Sequence, residues 1–316
     1  MERYINKSMI GKIIQNKYII TEYLGKGKFG NVYMGTKLNV NHSHERKSLA
    51  IKMEKYVYSK NTSNTLKNEA RMLEYLCRYS KKTNDIPQIP QIFFYSSSFI
   101  PEYLVLGMTY FEGIPANQVL HIQNISHWMC SAISLLQYIH QYGVIHRDIK
   151  PAHFILQPNG KWALIDFGFA TYVYEDPTKI EYLSVQTKEY IVGTPNYISL
   201  GIHCGKPGRK KDDLISLGYI YLQYIGFQPN FETFVANMMN TDISLEPTDL
   251  ETHHILHPIN LLRKKYKEMI LQPLQSNTNG PWTRDISFIK VNQFWELCNQ
   301  RYLCYEDMQL VFTETI

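Results

Sequence analysis

Val144-Ile145-His146-Arg147-Asp148-Ile149-Lys150-Pro151-Ala152-His153-Phe154-Ile155-Leu156, a turn at Pro158-Asn159-Gly160, and then Trp162-Ala163-Leu164-Ile165-Asp166-Phe167-Gly168 decide how this chain folds. The stretch reads as a loop carrying a carboxylate and an ammonium, then a hairpin, then a second carboxylate released from an apolar strand into a glycine turn. Asp148 can accept a proton and Lys150 can neutralise phosphate charge, while Asp166 beyond the hairpin can hold a metal ion. These are the parts that phosphoryl transfer needs.

His146-Arg147-Asp148-Ile149-Lys150-Pro151 and Asp166-Phe167-Gly168 resemble the catalytic loop and the metal-binding turn of the eukaryotic-type protein kinases, in that order and with the hairpin between them. The resemblance implies that Asp148 orients and deprotonates a substrate hydroxyl, that Lys150 screens the transferring phosphoryl group and that Asp166 holds Mg²⁺. Lysine at position 150 is the choice of the serine/threonine kinases. One position departs from the pattern: the family places asparagine five residues after the catalytic aspartate as a ligand of the second metal ion, and this chain has His153. Imidazole is a poorer partner than oxygen for a hard octahedral ion, so His153 points to Mn²⁺ as the alternative to Mg²⁺.

Upstream, residues 17 to 37 alternate in the manner of strands and are broken by Gly25-Lys26-Gly27-Lys28-Phe29-Gly30. A glycine triplet of this spacing could also open a dinucleotide-binding helix, but Val32-Tyr33-Met34 continues as a strand. Gly25, Gly27 and Gly30 therefore form a hairpin flap whose backbone can approach nucleotide phosphates. Lys52 interrupts the next apolar strand, from Leu49 to Glu54, and on its own could be an edge-strand lysine in water. Below the glycine flap it reads as a ligand of the ATP phosphates, with Val32 and Ala50 beside the nucleotide by resemblance. A helix over 64 to 79 carries Glu69 close to the stripe of Leu66, Ala70, Leu73 and Leu76, and Glu69 is the expected partner of Lys52. Glu74 stands on the flank as a solvated residue. Strands are expected at 92–95 and 103–106. By resemblance Leu106 is the gatekeeper beside the nucleotide, and Met108 to Thr109 is the hinge that meets adenine.

Downstream, the apolar spacing of Trp128, Met129, Ala132, Leu135, Leu136 and Ile139 predicts a helix over 128 to 142 ended by Gly143. His127 and His140, without carboxylate companions on that helix, read as packed or solvated. An activation segment is expected over 171 to 190. The strings Gly193-Thr194-Pro195-Asn196-Tyr197-Ile198-Ser199-Leu200 and Gly208-Arg209-Lys210-Lys211-Asp212-Asp213 are similar to those of the casein kinase 1 group, as is Ile51-Lys52-Met53-Glu54. The resemblance spans about residues 18 to 312. It implies that Thr194 bonds toward Asp148 and Lys150, and that Asp213 caps the catalytic loop from the start of a helix running through Tyr224. A plain helix-start carboxylate is the other reading of Asp213. Arg263-Lys264-Lys265-Tyr266-Lys267 resembles the group's lysine-rich helix, which binds a phosphate already on the substrate; as a charge run it also reads as a solvated face. Asn196 stands where the group has its companion arginine. His253 and His257 could share a helical face, but no third ligand accompanies them and Pro258 argues for a loop.

The 316 residues suit one two-lobed unit with a substantial core, and 44% apolar with 19% charged residues mark a folded chain. Five scattered cysteines without a Cys-x-x-Cys pair argue for a reducing compartment rather than a disulfide frame. No apolar signal core, no glycine at position 2 and no membrane-length apolar run are present, so a cytoplasmic location is expected, with the nucleus as the alternative. A net charge of +5 suits acidic or phosphorylated protein substrates, and no aromatic-interleaved basic motif supports nucleic-acid binding.

The expected fold is thus α+β: a protein kinase domain over 1–316, with a β-rich N-lobe over 17–106, a hinge over 107–110 and a helical C-lobe over 111–316. The expected activity is transfer of the ATP γ-phosphoryl group to Ser/Thr hydroxyls by a monomer. The alternative is a pseudokinase scaffold that binds a partner or nucleotide without phosphotransfer.

Overall fold

The computed structural model describes residues 9–27, 30–38, 48–55, 65–80, 88–100, 103–173, 191–226, 263–265, 267–268, 286–300 and 302–313. Most of the activation segment expected over 171–190 and the histidines at 253 and 257 lie outside them. The chain divides into two compact units, one of residues 1–113 with 157–169 and one of residues 114–156 with 170–316. The segment around Asp166, expected with the larger lobe, thus groups with the first unit, and the first unit extends past the boundary expected at 106.

The first unit is built on a six-stranded antiparallel sheet. Its strands are β1 (Ile13–Ile14), β2 (Tyr18–Lys26), β3 (Gly30–Lys37), β4 (Ser48–Lys55), β5 (Ile92–Ile100) and β6 (Tyr103–Thr109), in the order β1-β2-β3-β4-β6-β5. Ile20, Tyr33, Leu49, Ile51, Met53, Phe94 and Val105 fill its core. Helix α1 (Thr65–Ser80) packs on β4, β5 and β6. It buries Leu66, Ala70, Met72, Leu73 and Leu76, while Lys67, Arg71, Glu74 and Arg78 at intervening positions stay exposed. Each of its large buried side chains contributes about 1.5–3 kcal/mol of transfer free energy. Glu54 on β4 ties down the start of this helix. Its carboxylate accepts from the Leu66 N–H at 2.7 Å and from the Thr65 hydroxyl at 2.9 Å, satisfying a donor that the first turn leaves without an intrahelical partner.

Strand β6 departs from the sequence expectation. Gly107 reads as the start of a crossover, yet the strand runs on through Thr109, with Met108 opposite Ala50 on one side and Ile92 on the other. The glycine is there for packing. A Cβ at position 107 would stand 2.1 Å from the Phe94 ring, so only glycine lets that ring lie across the strand. The hinge expected over 107–110 is therefore strand as far as Thr109, and irregular backbone starts at Tyr110.

The second unit is mainly helical. It contains β7 (Ile114–Pro115), α2 (Ala116–Val119), α3 (Ile125–His140), β8 (Val144–Ile145), a 3₁₀ turn over Pro151–His153, and β9 (Phe154–Leu156). β10 (Trp162–Leu164) follows in the first unit; β11 (Thr171–Tyr172), α4 (Leu200–His203), α5 (Lys210–Tyr224), α6 (Ile286–Cys298) and α7 (Tyr305–Thr313) return to the second. Helix α3 packs against α5 and α7, and α6 packs against both α5 and α7. Aromatic side chains fill these contacts: Trp128 meets Phe154 edge-on at 5.0 Å, Tyr219 meets Trp295 at 5.3 Å, and Phe312 lies 5.1 Å from Tyr221 and 5.4 Å from Phe294. Two short antiparallel pairings, β7 with β9 and β8 with β11, bracket the loop that carries Asp148. Among the described residues, no helix is long and apolar enough to cross a membrane.

Candidate active site

In the first unit, strand β4 places Lys52 between Val32 of β3 and Leu106 of β6. Its ammonium donates to both oxygens of Glu69, at 2.8 and 2.9 Å, and to Asp166 Oδ1 at 3.2 Å. Burial by itself would push the Lys52 pKa down; the Glu69 and Asp166 carboxylates outweigh it and hold it above the ordinary lysine value. Of the two glutamates weighed from sequence, Glu69 meets the lysine, whereas Glu74 is exposed and pairs with Arg78 at 2.8 Å. Glu69 is only 2% exposed and also accepts from the Phe167 N–H, and Asn68 donates to the Gly168 carbonyl. Helix α1 is thereby tied both to β4 and to the turn after Asp166. Asp166 itself sits at φ +69°, a left-handed conformation that a non-glycine residue holds only when its surroundings impose it.

The glycine flap is described on its two strands. Gly25 pairs with Val32, and the Gly27 N–H donates to the Gly30 carbonyl at 2.7 Å. A Cβ at Gly30 would fall 1.9 Å from the Met53 carbonyl oxygen, so this glycine serves the close approach of β3 to β4. Among the described residues, a Cβ at Gly25 would meet nothing within 4 Å, and one at Gly27 would meet the Gly30 carbonyl oxygen at 3.6 Å, so a phosphate-bearing ligand could approach the backbone at Gly25. Leu106 is fully buried and Met108 is 3% exposed, both within the sheet.

In the second unit, Asp148 collects the partners expected of it. Lys150 Nζ donates to Oδ2 at 3.0 Å and the Thr194 hydroxyl donates to Oδ1 at 2.6 Å. Burial pushes the Asp148 carboxyl up, but the His153 ring, the Lys150 ammonium and the Thr194 hydrogen bond together bring its pKa below the ordinary aspartate value. The carboxylate is thus ionised at neutral pH. His153 is buried, and its Nδ1 lies 2.9 Å from the Asp148 carbonyl oxygen. Since that oxygen can only accept, Nδ1 carries the proton. Among the described residues no cluster of three His, Cys, Asp or Glu side chains forms a metal site.

Asp213, at the start of α5, caps the loop that carries Asp148. It accepts from the His146 N–H at 2.7 Å and from the Arg147 N–H at 2.9 Å, and Arg147 holds a left-handed φ of +66°. Asp213 is also met by His140 Nε2 at 3.0 Å. The sequence reading passed over His140 as packed or solvated. The signal was present: position 140 follows Ala132, Ile133 and Leu136 on the buried face of α3, where a polar group needs a partner.

The basic string at 263–267 is not a uniform solvated face. Lys265 is exposed and Lys264 approaches Glu268 at 3.9 Å, but Lys267 is 3% exposed. Its ammonium donates to the carbonyls of Pro195, at 2.9 Å, and of Ile198, and lies 4.5 Å from the centre of the Tyr219 ring. Burial, reinforced by Arg263, pushes its pKa well below the ordinary value. Lys267 therefore braces the turn that follows Thr194 and is withdrawn from any substrate phosphate.

His203 on α4 lies beside this lysine, and burial followed by the Lys267 charge pushes its imidazole down to about 2. The unfolded chain protonates it near the ordinary 6.5. Between those values the unfolded state binds more protons, so stability is full above pH 6.5 and declines as pH falls. The expected loss is about 1.4 kcal/mol per pH unit, or about 2 kcal/mol by about pH 5. Urea midpoints at about pH 5 and pH 8 check this, since His203→Leu should remove that share of the pH dependence.

The profile of the protein kinase domain matches residues 18–286. The casein kinase I homolog RAG8 of Kluyveromyces lactis is 26% identical over 224 residues, which cover 67% of this chain and 38% of that protein. Casein kinase I homolog 1 of Schizosaccharomyces pombe is 25% identical over 220 residues, covering 66% of this chain and 45% of that one. The chain thus spans less than half the length of these relatives. Among solved structures, a chain of the Chaetomium thermophilum CAK complex bound to ATP-gamma-S is similar in fold, with a TM-score of 0.53 and 21% identity, over 72% of this chain and 66% of that one. With an α+β kinase fold and a kinase profile that covers most of its length, the chain belongs to the protein kinase family, as a divergent member.

Proposed function

We propose that the chain is an ATP-dependent serine/threonine protein kinase of casein kinase 1 type, acting as a monomer on acidic or phosphorylated protein substrates in the cytoplasm or nucleus. The observation that carries this reading is the buried, ionised Asp148 held between the Lys150 ammonium and the Thr194 hydroxyl. Asp148 orients the substrate hydroxyl and takes its proton as that oxygen bonds to the γ-phosphorus and the bond from phosphorus to the ADP oxygen breaks. Lys150 offsets the charge on the transferring group, and Thr194 keeps the carboxylate aimed. Lys52, fixed by Glu69, holds ATP phosphates beneath the flap of Gly25, Gly27 and Gly30, with Val32, Ala50, Leu106 and Met108 beside the base. By resemblance, the Asp166 carboxylate, 41% exposed, would offer the hard oxygen that Mg²⁺ takes, and His153 would be a further metal ligand, one better suited to Mn²⁺. The metal supplies neutralisation of phosphate charge.

Purified protein given labelled ATP and casein, with Mg²⁺ or with Mn²⁺, tests the assignment. Transfer favouring Mn²⁺ is expected, with the Mg²⁺-dependent rate rising on His153→Asn. An active enzyme whose metal preference ignores that substitution would refute the role given to His153. Absence of transfer by both forms would favour the scaffold reading, to which His153 in place of asparagine is the pointer.

A further inference from the structure

Helix α7 reaches the catalytic loop through one hydroxyl. The Tyr305 oxygen lies 2.6 Å from His140 Nδ1, and His140 Nε2 lies 3.0 Å from Asp213 Oδ2. The ionised carboxylate can only accept, so Nε2 carries a proton; in the neutral ring Nδ1 then offers a lone pair, and the Tyr305 hydroxyl donates to it. The same Asp213 oxygen accepts from the His146 N–H, and its second oxygen accepts from the Arg147 N–H. Burial pushes the Asp213 carboxyl up, but the His140 hydrogen bond and the nearby histidines outweigh it, so the group stays ionised. His140 is 1% exposed and Asp213 is 3% exposed, so water is poorly placed to replace a lost partner.

We infer that Tyr305 is a positioning residue for the phosphoryl-transfer loop: its hydroxyl holds the His140 ring at Nδ1 so that Nε2–H meets Asp213, and Asp213 holds the backbone at His146 and Arg147 from which Asp148 projects. The inference rests on the kinase reading of Asp148 for its functional consequence, but its geometry stands without it. The strained Arg147 backbone explains why such a support matters, because a residue at φ +66° relaxes once its amide is released. Residues 165 positions apart in the chain thus act on one loop.

Tyr305→Phe tests this, since it keeps the ring beside His140 and removes one oxygen. Phe312→Leu is the control: it loosens the same helix where it packs on Tyr221 and Phe294. In the parent, ¹⁵N spectra should show a proton on His140 Nε2. In Tyr305→Phe the His140 Nδ1 resonance should shift as its hydroxyl partner is lost, and amide exchange at His146 and Arg147 should rise about tenfold, the worth of about one hydrogen bond. Turnover should fall about fivefold at unchanged KM for the protein substrate. Phe312→Leu should lower the melting temperature while leaving those two amides and the turnover as they were. The inference is overturned if the two amides exchange at the parental rate in Tyr305→Phe, or if Phe312→Leu speeds them equally. Should the parent transfer no phosphate, the kinase assignment falls, and the amide and ¹⁵N readings still decide the role of Tyr305.

Discussion

Asp148→Asn is expected to lower the turnover for a protein substrate by about 10²–10⁴-fold, the range a positioned proton acceptor contributes. The substitution keeps the size of the side chain and an oxygen for Lys150 or Thr194, so the loop should keep its shape. ATP affinity should stay within about twofold of the parent, because Asp148 belongs to the second unit, whereas the expected phosphate ligand Lys52, its partner Glu69 and the expected metal holder Asp166 belong to the first. Initial-rate kinetics together with titration of a fluorescent ATP analogue separate the two quantities. A variant that retains a tenth of the parental turnover would show that another group takes the proton. The ionised state of Asp148 is what makes the expectation sharp: with its pKa held below the ordinary value despite burial, the parent carboxylate is ionised at neutral pH.

Glu69→Ala is expected to cost about 3 kcal/mol of stability, the low end of the range for breaking one partner out of a buried pair. Glu69 is almost wholly enclosed, and its loss leaves the Lys52 ammonium and the Phe167 N–H without their acceptor. The low end applies because Asp166 Oδ1 still lies 3.2 Å from the ammonium. Replacing both partners, as in Lys52→Met with Glu69→Leu, should recover most of that loss while removing nucleotide binding, since apolar groups of similar volume satisfy a buried site without stranding a charge. Guanidinium unfolding of the two variants checks the first half and ATP titration the second. A Glu69→Ala protein within about 1 kcal/mol of the parent would mean that the pair is not a structural element of the first unit.

The motifs themselves were legible because each depends on a few neighbours in the chain. Asp148 and Lys150 lie two positions apart on one loop, and Thr194 was named as their companion through the resemblance of its string to the casein kinase 1 group. The strand after the glycine flap, the helix over 65–80 and the helix through Tyr224 follow from alternation and from helical spacing, which are local properties. The role of Gly107 was not legible, because the ring that demands a glycine there comes from Phe94 on the neighbouring strand.

What the chain determined by itself is the set of chemical groups and the secondary elements that carry them: the proton acceptor, the lysines, the metal-type carboxylate, the flap and the helices. Only the tertiary structure decided which groups meet. It added Asp166, from far along the chain, to the pairing of Lys52 with Glu69 that helical spacing already pointed to. It turned Lys267 from a member of a basic run into a buried brace, and His140 from a helix residue into the link between Tyr305 and Asp213. The physical reason is common to all three. Burial and hydrogen-bond partnership depend on what arrives from distant parts of the chain, and neither spacing nor composition records that arrival.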